Sequence, residues 1–246
     1  MVLQEDKLEI LEIIKLTKNN FEWQQLEDSV KVVCTQTLET VDKKGFENTF
    51  TFILRPNGNL EVSAKSRKLA GTPESIRGLP RIGVRMGINK EFDKVEYLGR
   101  GPFANYCDRH TSAFVGKYKS KVADWFEKFT RPQDTGNRED VRWLSLKNKN
   151  GYGLLISAQP KPLPMSVLPY TQEEISKASS PHLLPETEQT DLRIAYQVAG
   201  LGNNSCGHPP RDQHLIKFKD SVEWKFSIIP IVPNDKFSQT GIVDKW

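Results

Sequence analysis

The chain has 246 residues and a net charge of +4, from 35 basic and 31 acidic residues. That length suits one large domain or two small ones, and the well-patterned apolar residues mark a globular protein rather than a disordered one. The basic residues are interleaved with acids rather than drawn into a phosphate-tracking stripe, so nucleic acid is not an expected partner. No run of 18 apolar residues exists, so no membrane-spanning helix is expected. The three cysteines, Cys34, Cys107 and Cys206, are far apart and form no CxxC pair, so neither a zinc site nor a disulfide framework is expected. The opening MVLQEDKLEI lacks the basic-then-apolar layout of an export signal. That leaves cytoplasmic and periplasmic settings both open for a longer parent.

In chain order, Lys7–Leu16 (KLEILEIIKL) suits helix or strand, and its isoleucines favour strand. Asp42–Gly45 (DKKG) is a turn. Phe50, Phe52 and Leu54 alternate with polar residues, RPNGN follows, and Leu60, Val62 and Ala64 alternate again. This predicts a hairpin closed at Asn57-Gly58, the pair that best tolerates positive φ. Ile82, Val84, Met86 and Ile88 predict the next strand, and Asn148–Gly151 (NKNG) another turn. Thr171 with Glu174 three residues later predicts a short capped helix, bracketed by Pro169 and Pro181. Leu192, Ile194, Tyr196 and Val198 form one further alternating set, and Val222, Trp224, Phe226 and Ile228 another. A dominant period of two predicts an antiparallel all-β chain, with two packed sheets favoured over one barrel.

Three loop-like stretches are richer than strands need. The first is YLGRGPFANYCDRH, Tyr97–His110. It has no third glycine and no following helix, so it is not a dinucleotide fingerprint. Gly101, Asn105, Tyr106, Asp108 and Arg109 are expected to shape it, with Asp108 and Arg109 as an ion pair. The second is TRPQDTGNREDVRW, Thr130–Trp143. Its carboxylates Asp134, Glu139 and Asp140 lie among Arg131, Arg138 and Arg142, which suits a structural Arg–carboxylate network better than general acid catalysis. The third is GLGNNSCGHPPRD, Gly200–Asp212, whose Asn203, Asn204 and Ser205 offer donors and acceptors for sugar hydroxyls. Cys206 has only His208 near it in sequence, a weak basis for a nucleophile. His110, His182, His208 and His214 show no metal-binding spacing.

Taken in order, LPRIGVRM (Leu79–Met86), the three stretches and LPYTQEEISKASSPHLL resemble the C-terminal β domain, or separately encoded small subunit, of glycoside hydrolase family 2 β-galactosidases. The resemblance covers about residues 25–232 and implies a large two-layer antiparallel supersandwich, galactose-mutarotase-like. Residues 1–24 are then a lead-in or the end of a preceding domain, and 25–246 the supersandwich. The resemblance also implies retaining hydrolysis of terminal β-galactosides by two carboxyl groups about 5 Å apart. Those groups stand on a catalytic (β/α)8 barrel of the same or a separate chain in an oligomeric parent. This chain has no alternating βα pattern for such a barrel. It is therefore expected to be inactive alone, to hold no catalytic residue, metal or cofactor, and to pack on the barrel. Asn203, Asn204, Ser205 and Cys206 become candidates for the sugar-pocket rim. Gly101, Asn105, Tyr106, Asp108, Arg109, Gln133, Asn137, Arg138 and Trp143 become the residues shaping the loops. The chain departs from the family at Ala104 and Asp134, where glutamate is frequent, and at Cys206, where a tryptophan forms the sugar platform.

Two other readings compete. A stand-alone mutarotase-type epimerase needs a histidine acid and a carboxylate base in one cleft, with His182 and Glu186 as the available pair. A carbohydrate-binding module needs an exposed aromatic platform, with Trp125 and Phe126 available, or else those rings are core.

Overall fold

The computed structural model describes residues 15–72, 79–202, 210–217 and 220–233. Its strands are β1 (Lys15–Gln25), β2 (Val30–Glu39), β3 (Gly45–Leu54), β4 (Leu60–Lys68), β5 (Arg81–Asn89), β6 (Lys94–Gly101) and β7 (Phe114–Lys121). They continue as β8 (Arg138–Val141), β9 (Trp143–Lys147), β10 (Gly153–Gln159), β11 (Leu163–Leu168), β12 (Gln189–Val198) and β13 (Ser221–Ile231). One α-helix, α1 (Gln172–Lys177), and three short 3-10 turns complete the described elements. The chain is all-β and antiparallel, as the period of two requires. It divides into two compact units: Met1–Ile82 with Tyr196–Ile228, and Gly83–Ala195 with Ile229–Trp246.

The first unit carries the strand order β1-β2-β3-β4-β13. The β3–β4 hairpin closes where Asn57-Gly58 predicts: Gly58 has φ +80° and Asn57 Oδ1 accepts from the Asn59 amide at 3.1 Å. The DKKG turn closes β2 on β3 with Lys43 at φ +62°. Register aligns Trp23, Val32, Phe52, Val62 and Phe226 in one cross-strand row, and Phe21, Cys34, Phe50, Ala64 and Trp224 in the next. Because side chains alternate across a strand, both rows stand on one face. The neighbouring rows, such as Glu22, Val33, Thr51, Ser63 and Lys225, put mainly polar groups on the other. The expected Lys7–Leu16 strand is described only from Lys15, and the boundary after residue 24 falls at the end of β1.

The second unit has two layers, β10-β9-β6-β7 and β5-β12-β11-β8. Register sets Val95 and Tyr97 beside Leu146 and Leu144 on one sheet, and Met165 and Val167 beside Ile194 and Leu192 on the other; all eight are buried. Each fully buried aliphatic side chain contributes roughly 1.5–3 kcal/mol. The layers come close at Gly99, where a Cβ would lie 2.9 Å from Val141 Cα. Helix α1 carries the predicted capping box: the Glu174 amide donates to Thr171 Oγ1 at 3.2 Å, and the Thr171 amide donates to Glu174 Oε2 at 2.7 Å.

Candidate functional site

The loop Gly101–His110 and the segment Thr135–Asp140 are separated by 24 residues in sequence and bound together in the second unit. Asn105, fully buried, is the joint. Its Nδ2 donates to the carbonyls of Arg100 (3.2 Å) and Phe103 (2.9 Å), and its Oδ1 accepts from the Glu139 amide at 2.8 Å. Its backbone amide donates to the Asn137 carbonyl at 2.9 Å, and its own carbonyl accepts from Asn137 Nδ2 at 2.9 Å. Only a carboxamide supplies two donors and an acceptor at that size. Asn137 Nδ2 also donates to Glu139 Oε1 at 2.7 Å.

Arg138 lies beneath this joint, buried to 4% exposure. Its Nε donates to the Tyr97 hydroxyl (3.2 Å), Nη1 to the Asn137 carbonyl (3.2 Å) and Nη2 to the Pro102 carbonyl (2.9 Å). The guanidinium also lies 4.4 Å from the centroid of the Trp125 ring. Burial pushes the Arg138 guanidinium below its ordinary value, opposed by Tyr97, and burial pushes the Tyr97 hydroxyl above its own. The planar fork explains why an arginine holds this place: three carbonyl or hydroxyl oxygens surround it in nearly one plane's reach.

The arginine–carboxylate network expected within Thr130–Trp143 takes different partners. Asp140 receives Arg100 Nε at 2.5 Å, and Asp134 receives the buried Arg193 at 3.2 Å, which also holds Asp191 at 2.6 Å. Arg142 Nη1 donates to the Asp140 carbonyl at 2.6 Å rather than to a carboxylate. Arg100 and Tyr97, which the sequence reading did not single out as site residues, are central; Arg100's only signal was its place between two glycines.

The remaining expected residues fall as follows. A Cβ on Gly101 would collide with the Tyr97 hydroxyl and come within 2.8 Å of the Tyr118 ring. Tyr106 is fully buried and bridges Arg109 through paired backbone bonds of 3.2 and 2.8 Å. Arg109's guanidinium lies 5.8 Å from the Tyr106 ring centroid. Asp108 is half-buried beside Cys107. Gln133 is exposed and stands outside the network. Trp143 opens β9 and clusters with Leu155, Ile229 and Ile231. That cluster borders a cavity of about 150 Å³ also lined by Glu96 and Lys117. Asn203, Asn204, Ser205 and Cys206 lie outside the described residues.

The chemistry this arrangement can perform is restricted. Burial, then the charges of Glu139 and Asp108, push the Cys107 thiol up to about 11, which leaves it unreactive near neutrality. His182 and Glu186 are both exposed rather than convergent in a cleft. Trp125 and Phe126 are buried at 1% and 8%, so they are core and not a sugar platform. At its tip the loop presents Phe103, 46% exposed, alongside the exposed Arg109, and Phe114, paired with Gly101 across β6–β7, is 73% exposed.

Comparison with known proteins adds a family. The family model of the beta galactosidase small chain matches residues 4–228. The β-galactosidase of Halalkalibacterium halodurans is 29% identical over 210 residues, 85% of this chain and 20% of that protein. That of Streptococcus thermophilus is 29% identical over 206 residues, 83% of this chain and 20% of that protein. A Bifidobacterium adolescentis β-galactosidase is 31% identical over 190 residues, 75% and 18% respectively. The chain thus spans about one-fifth of the length of the curated relatives it matches. The galactose 1-epimerase of Lactobacillus acidophilus NCFM superposes with a TM-score of 0.44 at 7% identity, covering 85% of this chain and 65% of that one.

Proposed function

This chain belongs to the β-galactosidase small-chain family, and on that premise we propose that it is the non-catalytic module of a retaining, family 2 β-galactosidase. It packs on a catalytic (β/α)8 barrel carried elsewhere and forms part of the wall of the pocket that receives terminal β-galactosides. The observation that carries this reading is the joint at Asn105 and Arg138. Its polar groups point inward and are bonded to backbone, while the outward tip at Phe103 is apolar. Such a loop holds a shape against another surface; it does not deliver a proton or a nucleophile. Asp134 and Asp140 are engaged by Arg193 and Arg100, so neither is poised as the acid of a retaining pair. The sugar-facing role falls to Asn203, Asn204, Ser205 and Cys206. With Cys206 at the platform position, aromatic stacking on the sugar must come from another segment.

The test is to isolate the native polypeptide that carries this sequence from its source and measure its denatured mass and its hydrolysis of a chromogenic β-galactoside. A much larger chain with activity, or a 246-residue chain travelling with a larger active partner, is the expected result. A 246-residue chain without a partner that hydrolyses the substrate by itself overturns the proposal. One that instead interconverts galactose anomers restores the epimerase reading.

A further inference from the structure

The sheet of the first unit is two-faced, and its apolar face is covered at one end only. Toward β13 the face is closed: Val62, Ala64, Trp224 and Phe226 are all buried, and Tyr196 packs on Trp224 with ring centroids 6.2 Å apart. Across the same rows cover diminishes strand by strand. Phe50 and Phe52 on β3 are half-buried, as is Val32 on β2. On β1, Phe21 is 67% and Trp23 69% exposed, and Leu54 at the end of β3 is 48% exposed. Two aromatic rings exposed to that degree leave about 300 Å² of apolar surface in water, before Phe50, Phe52 and Leu54 are added. Contiguous patches of this size mark interaction surfaces. The face has the composition of the centre of a protein interface, rich in aromatic rings and poor in charge.

We propose that this face, centred on Phe21, Trp23, Phe50 and Phe52, docks the remainder of the β-galactosidase, through an apolar surface on that partner. The inference rests on the small-chain reading above. In the curated relatives the matching stretch is about one-fifth of the protein. In those relatives the remaining four-fifths of the polypeptide is therefore covalently joined to the matching stretch. Tethering gives the tethered body an effective concentration of about millimolar, against which a freely diffusing second copy competes poorly. A stable interface needs about 800 Å² from each side, and the uncovered apolar face across β1, β2 and β3 contributes toward that area where a loop tip does not.

Cys34 provides a native reporter, since it stands on this face between Phe21 and Phe50 and is half-buried. Iodoacetamide labelling of Cys34 and hydroxyl-radical oxidation of Phe21 and Trp23 are compared between the assembly purified from the source and the 246-residue chain alone. At least tenfold protection of all three in the assembly is expected. Trp23→Asp, at an exposed site that leaves the circular dichroism unchanged, should abolish the protection of Cys34 and Phe21. If galactosidase activity travels with the chain but protection is equal in both samples, this docking face is refuted while the module reading stands. If no activity travels with the chain, the module reading fails and takes this inference with it. If the chain alone dimerises in sedimentation and protects Trp23 to the same extent, the occupant is a second copy and the inference is overturned.

Discussion

Replacing Asn105 with alanine tests the joint directly. The substitution removes two donors and one acceptor and leaves the carbonyls of Arg100 and Phe103 and the amide of Glu139 without their partners. Each stranded buried group costs about 1–3 kcal/mol. Phe103 lies at the exposed tip, where water can reach its carbonyl, so two of the three count in full. The expected loss is about 2–6 kcal/mol, a large share of the roughly 5–15 kcal/mol that holds a domain. At about 2–4 °C per kcal/mol for a chain of about this size, the melting temperature should fall by about 4–24 °C. Urea unfolding followed by tryptophan fluorescence reads this as a lower midpoint at constant slope. Asn105→Asp keeps the acceptor for Glu139 N but removes both donors and sets a carboxylate against two carbonyls, so it should be no milder than alanine. A loss below about 1 kcal/mol for Asn105→Ala would refute the claim that this side chain holds the two segments together.

Other expectations follow from the same geometry. Gly101→Ala should cost about 1–3 kcal/mol through the clash with Tyr97 and Tyr118, read as a thermal shift. Arg138→Lys should lower the unfolding midpoint nearly as far as Arg138→Met, because a lysine cannot reach the Tyr97 hydroxyl and the Pro102 carbonyl with one planar fork; a lysine variant of wild-type stability would contradict this. Cys107, with its thiol pushed up to about 11, should resist iodoacetamide at pH 8 and gain reactivity toward pH 11, as mass spectrometry of its peptide will show. Glu39 accepts from Lys43 Nζ at 2.9 Å and from Thr17 Oγ1 at 2.8 Å, which holds its carboxyl below the ordinary range. Its stabilising contribution is therefore present above the unfolded value of about 4.3 and lost as pH falls through the lower folded one. Lys43→Ala should raise its titration midpoint in an NMR experiment, and an unchanged midpoint would count against the pairing.

Particular residues show where reading the sequence succeeds. Phe50, Phe52, Leu60 and Val62 declare their strands by alternation, Asn57-Gly58 declares its turn, and Thr171 with Glu174 declares the cap of α1. Each of these depends on residues within four positions of one another, so short-range sterics and hydrogen bonding decide them. The ordered set of loop motifs also identifies the family, which period alone could not. By contrast, the partners of Arg138 are Tyr97 and Pro102, 41 and 36 residues away, and Asp134 meets Arg193 across 59. Nothing local distinguishes these pairs from the carboxylates beside Arg138 in sequence.

By itself, then, the sequence determined strand periodicity, turn chemistry and family membership, all properties of short segments or of their order. Only the tertiary structure decided that Trp125 is core, and that Phe21 and Trp23 lie in water while Phe226 and Trp224, in the same rows, are buried. Alternation puts a side chain on a face, but burial depends on what long-range packing brings against that face.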